Sequence, residues 1–374
     1  MSKSVGIFLN QCLPLSEIFV YHQASSLSEF IPQFIACRHV QSPIAHNILT
    51  TCINSGGAKG KIAESVFKLT GKNSKLLSVV KECDVIHAHF GPTGWLASQL
   101  TSKADKPLIV TLHGFDITKA NINRKDDGLL QSIYSKNRKL LGQRASKFLC
   151  VSEFMRQKAI EFGFPEKKCV VHYMGIPLKE HVHAKAPTGN KVKLLAVGRL
   201  VSVKAHNKLI DAAALLQEKG VDVHLSIIGD GPLRKSLEKQ AADNLSTYTF
   251  MGAQPHDMVL KAMREHDVFC HTSMTQPNGQ TEAFGLVLLE AQWAGLPVVA
   301  FDSGGVSEAI NDGHTGFLAE EGDVQDFADK LSDLIKSRET LEQFSMAAPG
   351  FVKENFDSAK QGKLLEDIYD SVLI

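Results

Sequence analysis

Two glutamates flank the start of an apolar segment in the second half of the chain, and their spacing suggests contacts to an elongated ligand. Residues 277–294 begin as a polar loop and continue as an apolar helix whose only charged side chains are Glu282 and Glu290. The pattern predicts Glu282 just before the helix and Glu290 two turns inside it, about 12 Å further along the axis. This separation is too large for an acid/base pair but fits the two ends of one ligand.

The first turn of this helix is a candidate anion site. Four consecutive amides lie there, those of Phe284, Gly285, Leu286 and Val287. Their unpaired N–H groups and the positive end of the helix dipole favour a phosphate group. The alternative is a core helix whose two glutamates reach solvent. Because buried carboxylates need partners and the segment is apolar on nearly all sides, we favour a ligand site.

Arg199 and Lys204 could neutralise the same phosphate. A strand is predicted over residues 193–197, and both cations follow it before a predicted helix over about 207–219. Each can make charge-assisted hydrogen bonds to a pyrophosphate. The three-glycine dinucleotide fingerprint is missing from every predicted strand end, which argues against a nicotinamide-dependent enzyme.

Polar residues also lie near the ends of strands predicted in the first half. Ser16 caps a helix predicted from residue 17 to about residue 30, and His89, His113 and Asp116 come at or after the ends of two buried strands. The carboxyl ends of parallel strands share one edge of a sheet, where ligands bind. We therefore expect these four side chains on one rim. His113 could instead be structural, but its position beside a glycine at a strand end favours a functional role.

The order of predicted elements indicates an α/β protein with two doubly wound parallel sheets. Strands and helices alternate along the chain, and its 374 residues are many for one core. We predict an N-terminal domain over residues 1–180 and a C-terminal domain over 191–358. Residues 181–190, where proline and glycine interrupt the periodicity, form the predicted linker. A last helix within 359–374 is expected to cross back to the first domain.

Charge is divided unevenly between the two halves. Residues 1–177 hold 22 Lys and Arg against 12 Asp and Glu, a net +10, and the remaining residues hold 19 against 28, a net −9. A basic amphipathic helix is predicted from about residue 61 to residue 83. A basic half suggests an anionic partner such as a membrane surface, with a solvated face as an equal alternative. No basic run is interleaved with aromatic residues, so a nucleic acid is not expected.

Composition predicts a cytoplasmic globular protein. Hydrophobic residues make up 44% and charged residues 22%, as is usual for such proteins. No apolar run approaches the roughly 18 residues of a membrane span, and the first residues are too polar for a signal peptide. The seven cysteines are scattered and form no C-x-x-C pair, so we expect them to be reduced.

Nine short motifs resemble, in their order, the retaining glycosyltransferases of family 4. That family has the GT-B fold, in which two Rossmann-like domains face each other across a cleft. The first few motifs also resemble the branch that builds exopolysaccharides of the colanic acid and amylovoran type. The motifs are LPLSEIF (13–19), DVIHAHFG (84–91), TLHGFD (111–116), VSEFM (151–155), MGIP (174–177), VGRL (197–200), IGDGP (228–232), EAFG (282–285) and GLPV (295–298).

The resemblance implies a role in donor binding for the charged residues of the C-terminal domain. Arg199 and Lys204 would neutralise the diphosphate of a nucleotide sugar, which becomes the leaving group. Glu290 would bind the ribose hydroxyls, and Glu282 would lie against the transferred sugar. The amides of residues 284–287 would hold the distal phosphate and the sugar.

The base and the acceptor are assigned in the same way. The backbone near Met251 and Gly252 would meet the base, and His113 would approach the sugar from the opposite domain. The implied catalytic residues are then Glu282 and His113. The acceptor side would comprise Ser16, Glu17, His89 and Asp116.

The implied activity is transfer with retained anomeric configuration, from a nucleotide sugar to a lipid-linked or polysaccharide acceptor. A uridine nucleotide is favoured, and the protein would work in the cytoplasm, in peripheral contact with the inner face of the membrane. No metal or other cofactor is expected, because the cations and the helix N-terminus stabilise the leaving diphosphate. One departure from the family is Ala205, which stands where glycine usually follows the lysine.

Two other functions are compatible with the same fold. A nucleotide-sugar epimerase would turn over the donor without an acceptor and give an isomer. A non-catalytic subunit of a polysaccharide assembly complex would bind without turnover. The presence of all four charged residues, Arg199, Lys204, Glu282 and Glu290, argues against the second alternative.

Overall fold

The chain folds into two compact units, and each is described by itself. The computed structural model describes residues 2–14, 17–40, 49–118, 124–178 and 191–373, and gives only the backbone of 124–127. One unit combines Met1–Pro177 with Ser358–Ile374, and the other is Leu178–Asp357. The predicted linker, residues 181–190, and the predicted rim residue Ser16 lie outside the described residues.

The first unit is built on a seven-stranded parallel sheet with the strand order β3-β2-β1-β4-β5-β6-β7. The chain builds the sheet outward from β1 in one direction and then from β4 in the other. Its strands are β1 (Lys3–Gln11), β2 (Phe30–Arg38), β3 (Thr50–Asn54), β4 (Val85–His89), β5 (Leu108–Leu112), β6 (Lys147–Cys150) and β7 (Cys169–Val171). Its helices are α1 (Ile18–Ser25), α2 (Gly57–Thr70), α3 (Ser74–Glu82), α4 (Gly91–Ala104), α5 (Phe115–Thr118), α6 (Arg124–Arg144), α7 (Glu153–Glu161) and α14 (Ser358–Asp370).

Two helices of this unit differ from their sequence predictions. The helix expected to run to residue 30 ends at Ser25, because Phe30 is buried and begins β2. The basic helix expected as far as residue 83 is divided into α2 and α3. The break is at Gly71, whose left-handed φ of +62° ends α2, and a Cβ there would lie 2.5 Å from the Gln99 side chain. Asn73 then caps α3.

The second unit repeats the architecture with six parallel strands in the order β10-β9-β8-β11-β12-β13. The predicted α/β class with two Rossmann-like parallel-sheet domains is therefore confirmed. The strands are β8 (Val192–Val197), β9 (Val223–Ile228), β10 (Tyr248–Gly252), β11 (Val268–His271), β12 (Val298–Phe301) and β13 (Gly316–Ala319). The helices are α8 (His206–Glu218), α9 (Arg234–Asn244), α10 (His256–Glu265), α11 (Leu286–Trp293), α12 (Val324–Lys336) and α13 (Arg338–Asn355).

Helices cover both faces of each sheet, so the central strands are apolar along their length. Every residue of β4, β5, β11 and β12 is buried, as expected for parallel strands. All seven cysteines are buried and unpaired. Within the described ranges, no helix combines the length and the apolar character that crossing a membrane requires.

One carboxylate of α14 ties that helix to the sheet of the first unit. Glu366 Oε1 accepts hydrogen bonds from the backbone N–H groups of Ser28, Glu29 and Phe30 at 2.7, 2.6 and 3.1 Å. Glu366 Oε2 accepts from Ser28 Oγ at 2.9 Å. Burial opposes ionisation of Glu366, but these donors outweigh it and hold the pKa of the carboxyl below its ordinary value.

Replacing Glu366 by alanine should lower the free energy of unfolding by about 2–4 kcal/mol, because three backbone donors lose their shared acceptor. The matched control is Asp367→Ala on the exposed side of the same helix, which we expect to change stability by less than about 0.5 kcal/mol. Because the folded-state pKa of Glu366 lies below the unfolded value, its contribution is present above that value and lost as the pH falls. Urea denaturation of both variants at neutral and acidic pH measures these changes in stability. Equal losses in the two variants would show that the Glu366 hydrogen bonds do not stabilise the fold.

Candidate active site

The charged residues predicted in the second unit lie at the point where its strand order reverses. Arg199 and Lys204 follow β8, the first strand of the unit, and Glu282 lies in the long segment after β11. Strands β8 and β11 are neighbours in the sheet, although the chain builds outward from them in opposite directions. Loops that diverge at such a point leave a crevice at the carboxyl edge, where ligands of doubly wound sheets bind.

Glycines allow the loops of this edge to touch. Gly229 follows β9 with a φ of +146°, and a Cβ on it would lie 1.9 Å from the carbonyl oxygen of Gly198. Only a residue without a side chain fits there, so the turn that carries Arg199 is fixed against its neighbour. The Arg199 side chain is exposed and forms no ion pair with any described residue. It is therefore available to an anionic ligand.

Lys204 and Glu282 form an ion pair, which their separate predicted roles did not anticipate. Lys204 Nζ donates to Glu282 Oε2, and the two side chains are only 17% and 18% exposed. The same oxygen accepts from Ser273 Oγ at 3.0 Å and lies 3.5 Å from His271 Nε2. Burial opposes ionisation of Glu282, but the Lys204 ammonium and the His271 ring hold the pKa of the carboxyl well below its ordinary value. Glu282 is thus an anion that fixes the Lys204 ammonium.

Two buried histidines next to this pair escaped the sequence analysis. Burial and the nearby Lys204 charge lower the pKa of His206 to about 4, and burial also lowers the pKa of His271. Both rings are therefore neutral at pH 7. Their position along the chain could have predicted His271 and Ser273 as site residues. His271 ends β11 and Ser273 follows it, just as the predicted rim residues of the first unit lie at or after the ends of their strands.

The loop after β12 contacts the backbone of Glu282. In the structure Gly305 N donates to the Glu282 carbonyl oxygen at 3.1 Å, and a Cβ on Gly304 would lie 2.1 Å from that oxygen. The paired glycines thus let this loop hold the Glu282 backbone in place.

The helix that opens the anion site is shorter than predicted. It begins at Leu286, with Gly285 at its N-cap in a left-handed conformation, φ +98°. Leu286 and Val287 supply its first amides, which have no carbonyl one turn earlier. Phe284 precedes the helix and packs its ring on Phe356 at 5.4 Å. Glu290 is then the fifth helical residue, one turn inside rather than two, and the segment between Glu282 and Glu290 is not helical throughout.

Glu290 has an environment opposite to that of Glu282. Its side chain is 25% exposed, and the basic group found near it is His256, whose Nε2 lies 3.8 Å away. Burial raises the pKa of Glu290 to about 7. Met251 and Gly252, predicted to meet a base, end β10 on the same edge, where the Gly252 carbonyl accepts from Gly229 N at 2.9 Å.

In the first unit, two predicted histidines meet across neighbouring strands. His89 ends β4 and His113 directly follows β5, and His89 Nδ1 lies 3.1 Å from His113 Nε2. The rings of Phe19 and Phe90 pack on His113 at 4.9 and 4.4 Å. Burial lowers the pKa of His113 to about 3 and that of His89 well below its ordinary value. Both are neutral imidazoles, suited to exchange a hydrogen bond rather than to carry charge.

Asp116 and Glu17 differ in what they can reach. Asp116 is buried and accepts from the backbone N–H groups of Gly91, His113 and Gly114 at 2.8, 3.2 and 2.9 Å. Burial raises its pKa to about 6. Both carboxylate oxygens of Asp116 already accept hydrogen bonds from the backbone. Asp116 therefore positions the loop that carries His113. Glu17 is half-buried, and burial raises its pKa to about 7.

Ala205 occupies a strained backbone position beside the ion pair. Its φ and ψ are +43° and +40°, the left-handed region that disfavours any residue with a side chain. This conformation gives a physical reason for the glycine that the resemblance leads one to expect after the lysine. It also fixes the direction in which α8 leaves Lys204.

The sequence matches two families of known proteins. Residues 35–180 match the family described as Glycosyltransferase Family 4, and residues 179–351 match Glycosyl transferases group 1. The chain is 28% identical to the amylovoran biosynthesis glycosyltransferase AmsK of Erwinia amylovora, over 77% of this chain and 70% of that protein. It is also 28% identical to the putative colanic acid biosynthesis glycosyltransferase WcaL of Salmonella typhimurium, over 77% and 71%.

Solved structures share the fold of the whole chain. The Alr3699/HepE protein of Anabaena, crystallised with UDP and glucose, matches with a TM-score of 0.78 at 20% identity, covering 99% of this chain and 100% of that one. The lipopolysaccharide outer core galactosyltransferase WaaB matches with a TM-score of 0.72 at 17% identity, covering 98% and 99%. At these identities the likeness concerns the fold.

Replacing Ala205 by glycine should leave the free energy of unfolding unchanged or raise it by up to about 1 kcal/mol, since relief of the left-handed strain outweighs the loss of one buried methyl group. The control is Ala347→Gly on the exposed side of α13, which should lower stability by about 1 kcal/mol. Chemical denaturation of the two variants compares them. A loss at Ala205 as large as that at Ala347 would show that the backbone there is not strained.

Proposed function

We infer that this chain transfers a sugar from a nucleoside diphosphate sugar with retention of anomeric configuration. The inference starts from its family: the chain belongs to the GT-B glycosyltransferases, with a family 4 domain followed by a group 1 domain. The observation that carries the proposal is the Lys204–Glu282 pair at the switch point of the second sheet. It places a fixed cation and a fixed anion together where a ligand of this fold binds.

The cation serves the leaving group. We assign the donor diphosphate to Lys204, Arg199 and the first amides of α11 at Leu286 and Val287. Lys204 is already held by Glu282, so little side-chain freedom is lost when the diphosphate binds. Fixed cations and amides stabilise the negative charge that grows on the diphosphate as the sugar leaves. This arrangement supports a reaction that does not depend on a metal ion.

The two glutamates serve different parts of the donor. Glu282 remains ionised and would lie against the transferred sugar, where a fixed negative charge stabilises the positive character of its anomeric carbon. Glu290 would accept hydrogen bonds from the ribose hydroxyls. Met251 and Gly252 would meet the base, for which we propose uracil because Anabaena HepE, a relative in fold, was crystallised with UDP and with UDP-glucose.

The acceptor belongs to the first unit in this proposal. His113, held neutral beside His89, can exchange a hydrogen bond with a hydroxyl group, and Glu17 lies after β1 at the same edge of the sheet. The names of AmsK and WcaL connect them to amylovoran and colanic acid. We therefore propose a lipid-linked or polysaccharide acceptor in the synthesis of a cell-surface polysaccharide, met in the cytoplasm at an anionic membrane surface.

Separate replacement of the two glutamates tests these roles. Glu290→Ala should weaken UDP binding about tenfold, because the ribose loses its acceptor. Glu282→Ala should keep the UDP affinity within about threefold, because Lys204 loses its fixed position but also loses a competing anion. The same change should lower the release of UDP from UDP-glucose at least a hundredfold. Titration calorimetry and a UDP-release assay, each with and without a chelator, measure both effects.

Four results would contradict the proposal. An equal loss of UDP affinity in both variants would remove the division of roles. Formation of a sugar isomer without free UDP would indicate an epimerase. Binding of UDP with no turnover of any UDP-sugar, with the protein folded, would indicate a binding subunit. A product with inverted anomeric configuration, read by nuclear magnetic resonance, would exclude retention.

The affinity for UDP should depend on pH through Glu290. Its pKa is raised to about 7 in the free protein, and ribose hydroxyls bind the ionised carboxylate better than the protonated one. Binding then lowers this pKa, so the affinity should rise about tenfold between pH 6 and pH 8 and level off above that. In Glu290→Gln this rise should disappear. Titration of the diphosphate itself is common to both proteins and cancels, so identical pH profiles would refute the coupling.

A further inference from the structure

Helix α2 of the first unit carries apolar side chains on the side that faces away from its sheet. Ile62, Val66 and Leu69 are 64%, 48% and 63% exposed. Their spacing of four and three residues places them on one face of the helix. We call these three side chains the outer face of α2. Large exposed apolar side chains that are contiguous, rather than scattered, mark a binding surface.

The outer face of α2 is not needed to attach the helix. On the opposite side Phe67 is fully buried, and its ring lies 6.4 Å from that of Phe8. Glu64 is buried beside it and binds Arg38, Asn54 and Lys68. The inner side thus has its own apolar anchor and a satisfied polar cluster. The helix is held firmly while its outer face stays open.

The charges on the segment that carries this face are nearly all positive. Residues 57–75 contain five lysines and a single acidic residue, Glu64, which is buried and already paired. Lys59, Lys61 and Lys72 are exposed and make no ion pair with any described residue. The segment thus directs apolar side chains outward, has lysines beside them and carries no exposed carboxylate. This pattern is typical of a helix that lies in an anionic lipid interface.

We propose that the outer face of α2 docks on the surface of an anionic membrane, with its apolar side chains among the acyl chains and the lysines at the headgroups. A protein partner would have to present acidic side chains to the lysines. The centre of the face is apolar and uncharged, which favours lipid acyl chains over such a protein. The inference deepens the proposed function, because a lipid-linked acceptor is found at such a surface, and it rests on that function for its biological purpose only.

Sedimentation with vesicles tests the proposal on the full chain. The protein should bind vesicles of phosphatidylcholine with about one-third phosphatidylglycerol, and bind pure phosphatidylcholine much more weakly. Replacing Ile62, Val66 and Leu69 together by glutamine should lower the binding at least about tenfold. Lys59→Gln with Lys61→Gln should lower it and weaken its dependence on salt.

The matched control replaces exposed apolar residues elsewhere, Met346→Gln with Leu364→Gln, which are 70% and 52% exposed. Its vesicle binding should equal that of the native chain. Equal binding by the native chain and the triple variant, no binding by the native chain, or an equal loss in the control would each overturn the proposal. Conversion of a native dimer to a monomer by the triple variant would also overturn it, in favour of a second copy of this chain.

Measurements of UDP binding separate this inference from the proposed function. Each variant should bind UDP as the native chain does, which also shows that it is folded. Loss of vesicle binding with UDP affinity intact supports the docking surface. Vesicle binding that depends on the outer face of α2, in a protein that turns over no UDP-sugar, would refute the proposed function and leave the docking surface standing.

Discussion

Each sheet in this protein is parallel and buried on both faces, and this constraint decides where polar chemistry can lie. Strands such as β4, β5 and β12 have no exposed residue, so functional groups lie at the strand ends and in the segments that follow them. Parallel strands end at the same edge, and residues distant in sequence are gathered there. His89 with His113, and Lys204 with Glu282, are two results of the same geometry.

Burial gives the residues of this edge their electrostatic character. Glu282 and Glu290 are both largely removed from water, which alone would raise both pKa values. Glu282 has Lys204 beside it and stays ionised, whereas Glu290 has a histidine at 3.8 Å and a pKa near 7. Two carboxylates of one short segment can thus perform different tasks, a permanent charge in one case and a hydrogen-bond acceptor that releases a proton in the other.

The first unit uses burial differently, because it keeps the two histidines of its rim neutral. Burial lowers the pKa values of His89 and His113. Both carboxylate oxygens of Asp116 accept hydrogen bonds from backbone N–H groups. Positive charge is kept on the exterior instead, around the outer face of α2. Neutral histidines at the rim and lysines on the exterior thus separate hydrogen-bonding groups from positive charge in this unit.

The sequence by itself determined the α/β class, the two repeated sheets and the strand-end positions of Arg199, Lys204 and His113, because periodicity and strand-end position are local properties. It could not determine contacts between segments far apart in the chain. The Lys204–Glu282 pair joins positions 78 residues apart, and His271 and Ser273 became part of the site only because β11 lies beside β8. The predicted helix bounds failed at two glycines with left-handed backbone, at Gly71, which packs against Gln99, and at Gly285 before α11. Burial, and with it the opposite pKa shifts of Glu282 and Glu290, exists only once the chain has folded.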